Sequence, residues 1–375
     1  MTHAINNKMS RKPRPGSSIT GLTLVELMVA ITIGLIILAA VVRLFVTSRS
    51  TYTLEEGLAR VQESGRFAVE FLSQDIRMAG YAGCSANLSG TGVGNLVSPA
   101  ASATMFNPDG ITGHKYACTS GCSGALTEWD PDLPAEYFPT GSGEIQPVTG
   151  NDVVVIQHAD SSGTHLTGNT VPHNANIQIV NTTALAGSVQ AGDILMVSDC
   201  KAADIFKATS VSSGSGKITI AHTTTGNTGN NLKHSYGNDA EIMKLVTRIY
   251  FIGRRGNSSS NPPALYRKEL SGASLIAQEL VEGIEIMKLG YGEDTDTTKD
   301  GVPNIYRTSP SSVANWRQVL TVRVGLLVRT STTVDQENDT RTYDLAGITA
   351  AAGPYNDKYR RRAFNSTIQV RNHFQ

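Results

Sequence analysis

Charge is scarce in this chain. Only 17% of its 375 residues are charged, and 32 basic side chains balance 32 acidic ones. A neutral balance supplies no extended positive field, so nucleic acid is not an expected partner. The one basic cluster, Lys358 with Arg360, Arg361 and Arg362, reads as the solvated face of a strand. Proline is absent between Pro15 and Pro99, so nothing in that stretch removes a helical amide. Catalytic fingerprints are missing too. There is no phosphate-binding glycine loop, no dinucleotide glycine motif and no G-x-S-x-G elbow. His158, His165 and His173 are near neighbours in sequence, but without a recurring ligand spacing. These absences lead us to expect no enzyme, no metal centre and no cofactor.

What is present begins with an apolar run. Leu22–Val42 reads LTLVELMVAITIGLIILAAVV, with Glu26 as its single charged residue. Ahead of it, residues 1–20 carry Lys8, Arg11, Lys12 and Arg14 and no acid, and Gly21 stands at the junction. As a helix rising about 1.5 Å per residue, the run covers the hydrocarbon thickness of a bilayer. A basic leader stays in the cytoplasm and sends the rest of the chain outward. A carboxylate at bilayer depth costs about 2.5–3.5 kcal/mol, so Glu26 is expected to have a task. A plain signal anchor explains the length but not the acid. A cleaved secretory signal wants a shorter core and a small-x-small site, for which Ala39 and Ala40 are the nearest residues.

The order of basic leader, glycine, Leu-Thr-Leu-Val-Glu and apolar helix resembles the N-terminal signal of type IV prepilins and pseudopilins. The resemblance implies cutting after Gly21 by a prepilin peptidase on the cytoplasmic side. It implies Leu22 as the N-methylated first residue of the mature chain, where the family usually has phenylalanine. It also makes Glu26 the fifth mature residue and the docking charge for the amine of a neighbouring subunit.

Helical patterning continues beyond the run. Leu54, Leu58, Val61, Ala68, Leu72, Ile76 and Ala79 recur at spacings of three, four or seven, one stripe of an amphipathic helix. Gly80 and Gly83 are the stop signals. From about residue 87 to 149 the chain is rich in Gly, Ser, Thr and Pro and lacks periodicity, which predicts a long irregular insertion. Regular strand signals follow at Asp152–His158, Asn176–Val180, Asp193–Ser198, Phe206–Val211 and Lys217–His222. They continue at Glu241–Ile252, Ala264–Glu269, Glu279–Leu289, Val319–Thr330 and Asn365–Arg371. The fold class expected is α+β: a long N-terminal helix packed on a mainly antiparallel sheet. The divisions are a leader to Gly21, a membrane half of the helix over 22–43, an amphipathic half over 44–80, and a β-rich domain over 81–375.

Four cysteines, Cys84, Cys118, Cys122 and Cys200, would lie in an oxidising compartment after export. Two disulfides are then the default, and three pairings are possible. Cys118 and Cys122 can close a small loop, leaving Cys84 with Cys200. Asp294, Asp296 and Asp300 resemble a calcium loop, but Thr298 and Lys299 stand where such a loop wants a ligand and glycine. A solvated acidic turn is the favoured reading.

The resemblance narrows further along the chain. Gln74-Asp75-Ile76-Arg77-Met78-Ala79-Gly80-Tyr81-Ala82-Gly83-Cys84 is similar to the helix end of PilW-type minor pilins. So are Val197-Ser198-Asp199-Cys200 with Ala203 and Phe206, Glu279 through Glu285 running to Tyr291-Gly292, and the tail Arg362 to Asn372. This implies the pilin fold and a structural role: priming type IV pilus growth and sitting at or near the tip. Implied partners are the prepilin peptidase, other minor pilins, the major pilin, a large tip adhesin and inner-membrane lipid. The chain would cross the inner membrane once, with its C-terminal domain periplasmic, and become extracellular in the pilus. Two alternatives stay open: a type II secretion pseudopilin, and a membrane-anchored adhesin or binding module.

Overall fold

The computed structural model describes residues 21, 23–84, 93–98, 109–141, 143–168, 170–171, 176–271, 274–298, 300–348 and 351–373. It is α+β, and among the described residues it has one long N-terminal helix and 17 strands in three sheets. Helix α1 spans Leu24–Met78. The strands are β1 (Val93–Asn95), β2 (Ile111–Tyr116), β3 (Trp129–Asp130), β4 (Val153–Ala159), β5 (Thr164–His165), β6 (Asn176–Val180), β7 (Ile194–Ser198), β8 (Ala203–Lys207) and β9 (Ser210–Gly214). After these come β10 (Lys217–Ala221), β11 (Glu241–Arg254), β12 (Pro263–Ser271), β13 (Ser274–Glu282), β14 (Ile284–Glu293), β15 (Ile305–Arg307), β16 (Val319–Arg329) and β17 (Arg361–Gln369). By its contacts the chain falls into two units, Met1–Thr53 and Leu54–Gln375.

In the first unit, described apolar side chains of α1 stand in the open: Leu24 and Leu44 are each 74% exposed. This part of α1 is long and apolar enough to cross a membrane. In the second unit, α1 buries Val61, Gly65, Ala68, Leu72 and Ile76. That face packs on β4, β11 and β12 through Val154, Ile156, Tyr250, Ile252 and Leu265, and on β14, β16 and β17 through Met287, Val324, Leu326 and Ile368. Gly65 permits the close approach, since a Cβ there would lie 2.3 Å from the Phe364 ring.

The expectation of one sheet is corrected to three, with strand orders β1-β8-β7-β11-β4-β2-β3, β6-β10-β9 and β15-β14-β16-β17, and with β12, β13 and β5 attached to the first. Among the described residues, strand pairing is antiparallel except for β1 with β8. Residues 87–149 also need correction. Part of this stretch lies outside the described residues. The rest contributes β1, β2 and β3 to the largest sheet and is not irregular throughout. Trp129, Leu133, Tyr137 and Phe138 cover Val153, Val155, Ile249 and Phe251 on the side facing away from α1. Strands β4 and β11 are therefore buried on both faces, which explains the continuous apolar runs Val153–Ile156 and Ile249–Ile252 within them.

Two predicted strands are each divided. Phe206–Val211 becomes the end of β8 and the start of β9, which belong to different sheets. Glu279–Leu289 becomes β13 and β14, likewise in different sheets. Gly283 makes the second transfer. At φ +89° its amide donates to Pro263 O at 2.8 Å, while its carbonyl accepts from the Arg329 amide at 2.8 Å.

Candidate assembly helix and its anchorage

The start of α1 is closed by its own side chains. The Thr23 amide and hydroxyl donate to Glu26 Oε2 at 3.2 and 3.1 Å, and the Glu26 amide donates to Thr23 Oγ1 at 3.2 Å. This reciprocal Thr-x-x-Glu box satisfies amides that a helix start otherwise leaves without partners. It also sets a carboxylate at the positive end of the helix dipole. The signal for this box is the Thr23-x-x-Glu26 spacing in the sequence. Gly21 is exposed, and a Cβ on it would meet nothing within 4 Å. Leu22 lies outside the described residues.

A second acid on α1 is held differently. Asp75 is 3% exposed. Its carboxylate accepts from Tyr250 Oη at 2.5 Å and from Arg248 Nη1 at 2.7 Å, and Arg248 Nε donates to Glu269 at 2.8 Å. Burial above all, then the Asp75 charge, pushes the Tyr250 phenol well up. Asp75 thus ties α1 to β11 by a charge-assisted pair. Sequence reading placed Asp75 in a helix-end motif without finding its partners, which come from a strand more than 170 positions away.

The end of α1 is fastened from several directions. Gly80, at φ +74°, turns the chain, and its amide donates to Gln157 O at 2.9 Å. Asn372 Nδ2 stands 3.4, 3.3 and 3.2 Å from the carbonyl oxygens of Arg77, Met78 and Ala79. A side-chain amide from the far end of the chain therefore caps the helix. Beside it His373 Nδ1 is 2.9 Å from Val319 O. Burial lowers the His373 pKa, against the pull of the Val319 and Asp109 backbone. Cys84 and Cys200 are disulfide-bonded, with Sγ atoms 2.08 Å apart, linking the segment after α1 to the β7–β8 turn.

The remaining candidates lie apart from this assembly. Cys118 and Cys122 are bonded to each other at 2.04 Å. Glu128 beside them is held near pKa 2, chiefly by the Ser123 amide, with the Ser123 hydroxyl, Tyr116 hydroxyl and Gly124 amide adding to it. Donor atoms of Asp294, Asp296 and Asp300 gather within 4.8 Å of one another, and Asp294 is 3% exposed, so the acidic turn is not wholly solvated as expected. Asn304 and nearby amides bond these carboxylates. His158 and His165 bond separate backbone carbonyls, of Ala159 and Asp239; His173 lies outside the described residues. The basic cluster also needs correction. Arg361 is 3% exposed, bidentate to both Glu285 and Asp357 at 2.6–3.1 Å, and stacked 3.9 Å from the Tyr355 ring centre. A planar guanidinium suits such a site, where burial demands full pairing.

No curated protein matches the chain. Residues 249–372, from the middle of β11 through the Asn372 cap, match the PilW family, described as type IV pilus-assembly protein W. Over that stretch the chain is PilW-like and similar to proteins of type IV pilus assembly.

Proposed function

We propose that this chain is a minor pilin, a structural subunit that helps initiate type IV pilus assembly and sits at or near the tip. The observation that carries the reading is α1 itself. One uninterrupted helix presents a membrane-length apolar half with an acid in its first turn and continues into an amphipathic half buried on the sheets. The PilW match over 249–372 adds support from a different part of the chain. In this reading the pilin-like fold delivers α1 to a filament core, where apolar helices pack side by side. Glu26 there receives the freed amine of a neighbour, because a charge buried in that core is costly unless paired. Before assembly the chain crosses the inner membrane once, with its globular part in the periplasm. Its partners are the prepilin peptidase, other minor pilins, the major pilin and a tip adhesin.

Processing after Gly21 is the step to test. Among the described residues nothing lies within 4 Å of a Cβ on Gly21, and in this reading the requirement for glycine there belongs to the peptidase. Intact mass of the exported wild-type chain is expected to correspond to a chain starting at Leu22 with one added methyl group. Gly21→Val is expected to leave full-length protein in the inner membrane. A mature chain starting near Val41, or normal processing of the variant, would overturn the assignment.

A further inference from the structure

We propose that Asp204, His234 and Tyr236 bind a divalent transition-metal cation such as zinc, which fastens the segment between β10 and β11 to β8. All three residues lie outside the stretch that matches PilW. Asp204 is 0% exposed and Tyr236 2%. The Lys233 and His234 amides both donate to Asp204 Oδ2 at 2.9 Å. That oxygen is therefore engaged, and Oδ1 is the one turned toward the His234 ring. The Tyr236 phenol lies against the same carboxylate. Gly94 stands opposite Asp204 in the β1–β8 pair, and a Cβ on it would collide with Oδ1. Glycine thus makes the room for this orientation. Tyr236 is fixed in turn, its amide donating to Thr170 O at 2.9 Å and its carbonyl accepting from the Thr170 amide at 2.8 Å.

Three polar atoms meet here without a well-directed hydrogen bond. Asp204 Oδ1 is 3.4 Å from His234 Nδ1. Among the described residues, Asp204 Oδ1, His234 Nδ1 and Tyr236 Oη are each buried with no hydrogen-bond partner. Burying such atoms unpaired is costly. A carboxylate oxygen and a neutral imidazole nitrogen are both electron-pair donors, so what suits the space they face is a cation. A shared proton would draw the two atoms to about 2.8 Å. Two metal bonds of about 2.0–2.1 Å at a tetrahedral angle set their ligand atoms about 3.4 Å apart. The observed spacing fits the metal ion. One nitrogen and two oxygens favour a transition metal over calcium or magnesium, which take oxygen ligands. Tyr236 binds as the phenolate, and its proton passes to solvent when the ion enters. The His234 side chain is 33% exposed, which gives the ion an entry path and a water a place as fourth ligand.

Zinc binding is measured by calorimetric titration of the untagged full chain in detergent, at neutral pH with both disulfides intact. Wild type is expected to take up one equivalent of zinc. His234→Ala and Tyr236→Phe are each expected to bind at least about tenfold more weakly. The first removes a partly exposed side chain and the second keeps the ring, so both should unfold at the wild-type temperature when zinc is absent. Asp294→Asn, in the separate acidic turn, is expected to bind zinc as wild type does. A wild-type chain that takes up no zinc would overturn the site and leave Asp204 and His234 as a plain ion pair. Undiminished binding by either His234→Ala or Tyr236→Phe would overturn it as well. The titration needs no filament, so its failure is distinct from failure of the pilin reading.

Discussion

Glu26 and Asp75 are acids on one helix with opposite prospects. Asp75 has its cation inside the chain, whereas among the described residues Glu26 bonds Thr23. Removing the Asp75 carboxylate leaves the Tyr250 hydroxyl without its acceptor and Arg248 with Glu269 alone. Asp75→Ala should therefore cost about 3 kcal/mol, at the low end for breaking a buried pair because Arg248 is partly exposed. Asp75→Asn keeps an acceptor for Tyr250 and should cost less. Urea unfolding compares them, and equal losses would assign the effect to packing. For Glu26 the helix cap and the docking charge can be separated. Glutamine serves a capping box as glutamate does but carries no charge. Glu26→Gln should insert in the membrane normally, yet co-purify with other pilins as poorly as Glu26→Ala. If glutamine restores co-purification while alanine does not, the side chain acts through the cap and not through its charge.

At the level of elements, α1 was the most legible part of the molecule. Its missing prolines and its stripe of apolar residues gave both its length and its buried face, and Gly80 marked its end. The strands were legible where one strand stays in one sheet, as with Asn176–Val180 and Val319–Arg329. They were misread where the chain changes sheets without changing its character. From Phe206 to Val211, and from Glu279 to Leu289, apolar and β-forming residues continue across the boundary. Nothing in a period of two shows that the hydrogen-bonding partners have changed. Gly283 makes the transfer between two sheets. A Cβ there would lie 2.7 Å from Arg329 O on a backbone at φ +89°. Gly283→Ala should thus destabilise by about 2 kcal/mol, combining left-handed strain and the clash. A thermal midpoint within error of wild type would show that the transfer does not depend on glycine.

On the scale of the whole molecule, the parts the sequence left obscure are long-range closures. The Trp129–Phe138 cover works through a few large side chains, so it leaves no period to detect. The Asn372 cap joins residues nearly three hundred positions apart, and local pattern carries no trace of such a pair. Cysteine arithmetic foresaw two disulfides but left their energetic weights unequal only in principle. Cys84–Cys200 spans 116 positions, while Cys118–Cys122 spans 4. In the chain-entropy description, closing the longer loop restricts the unfolded chain by about 5 kcal/mol, against about 2 kcal/mol for the shorter. The longer bond also joins the segment after α1 to the β7–β8 turn. Replacing Cys84 and Cys200 together by serine should lower the denaturation midpoint clearly more than replacing Cys118 and Cys122 together. The protein is compared in oxidising buffer with all other residues unchanged. Equal losses, or a larger loss for the short loop, would mean that local order around Glu128 outweighs the entropy of the long closure.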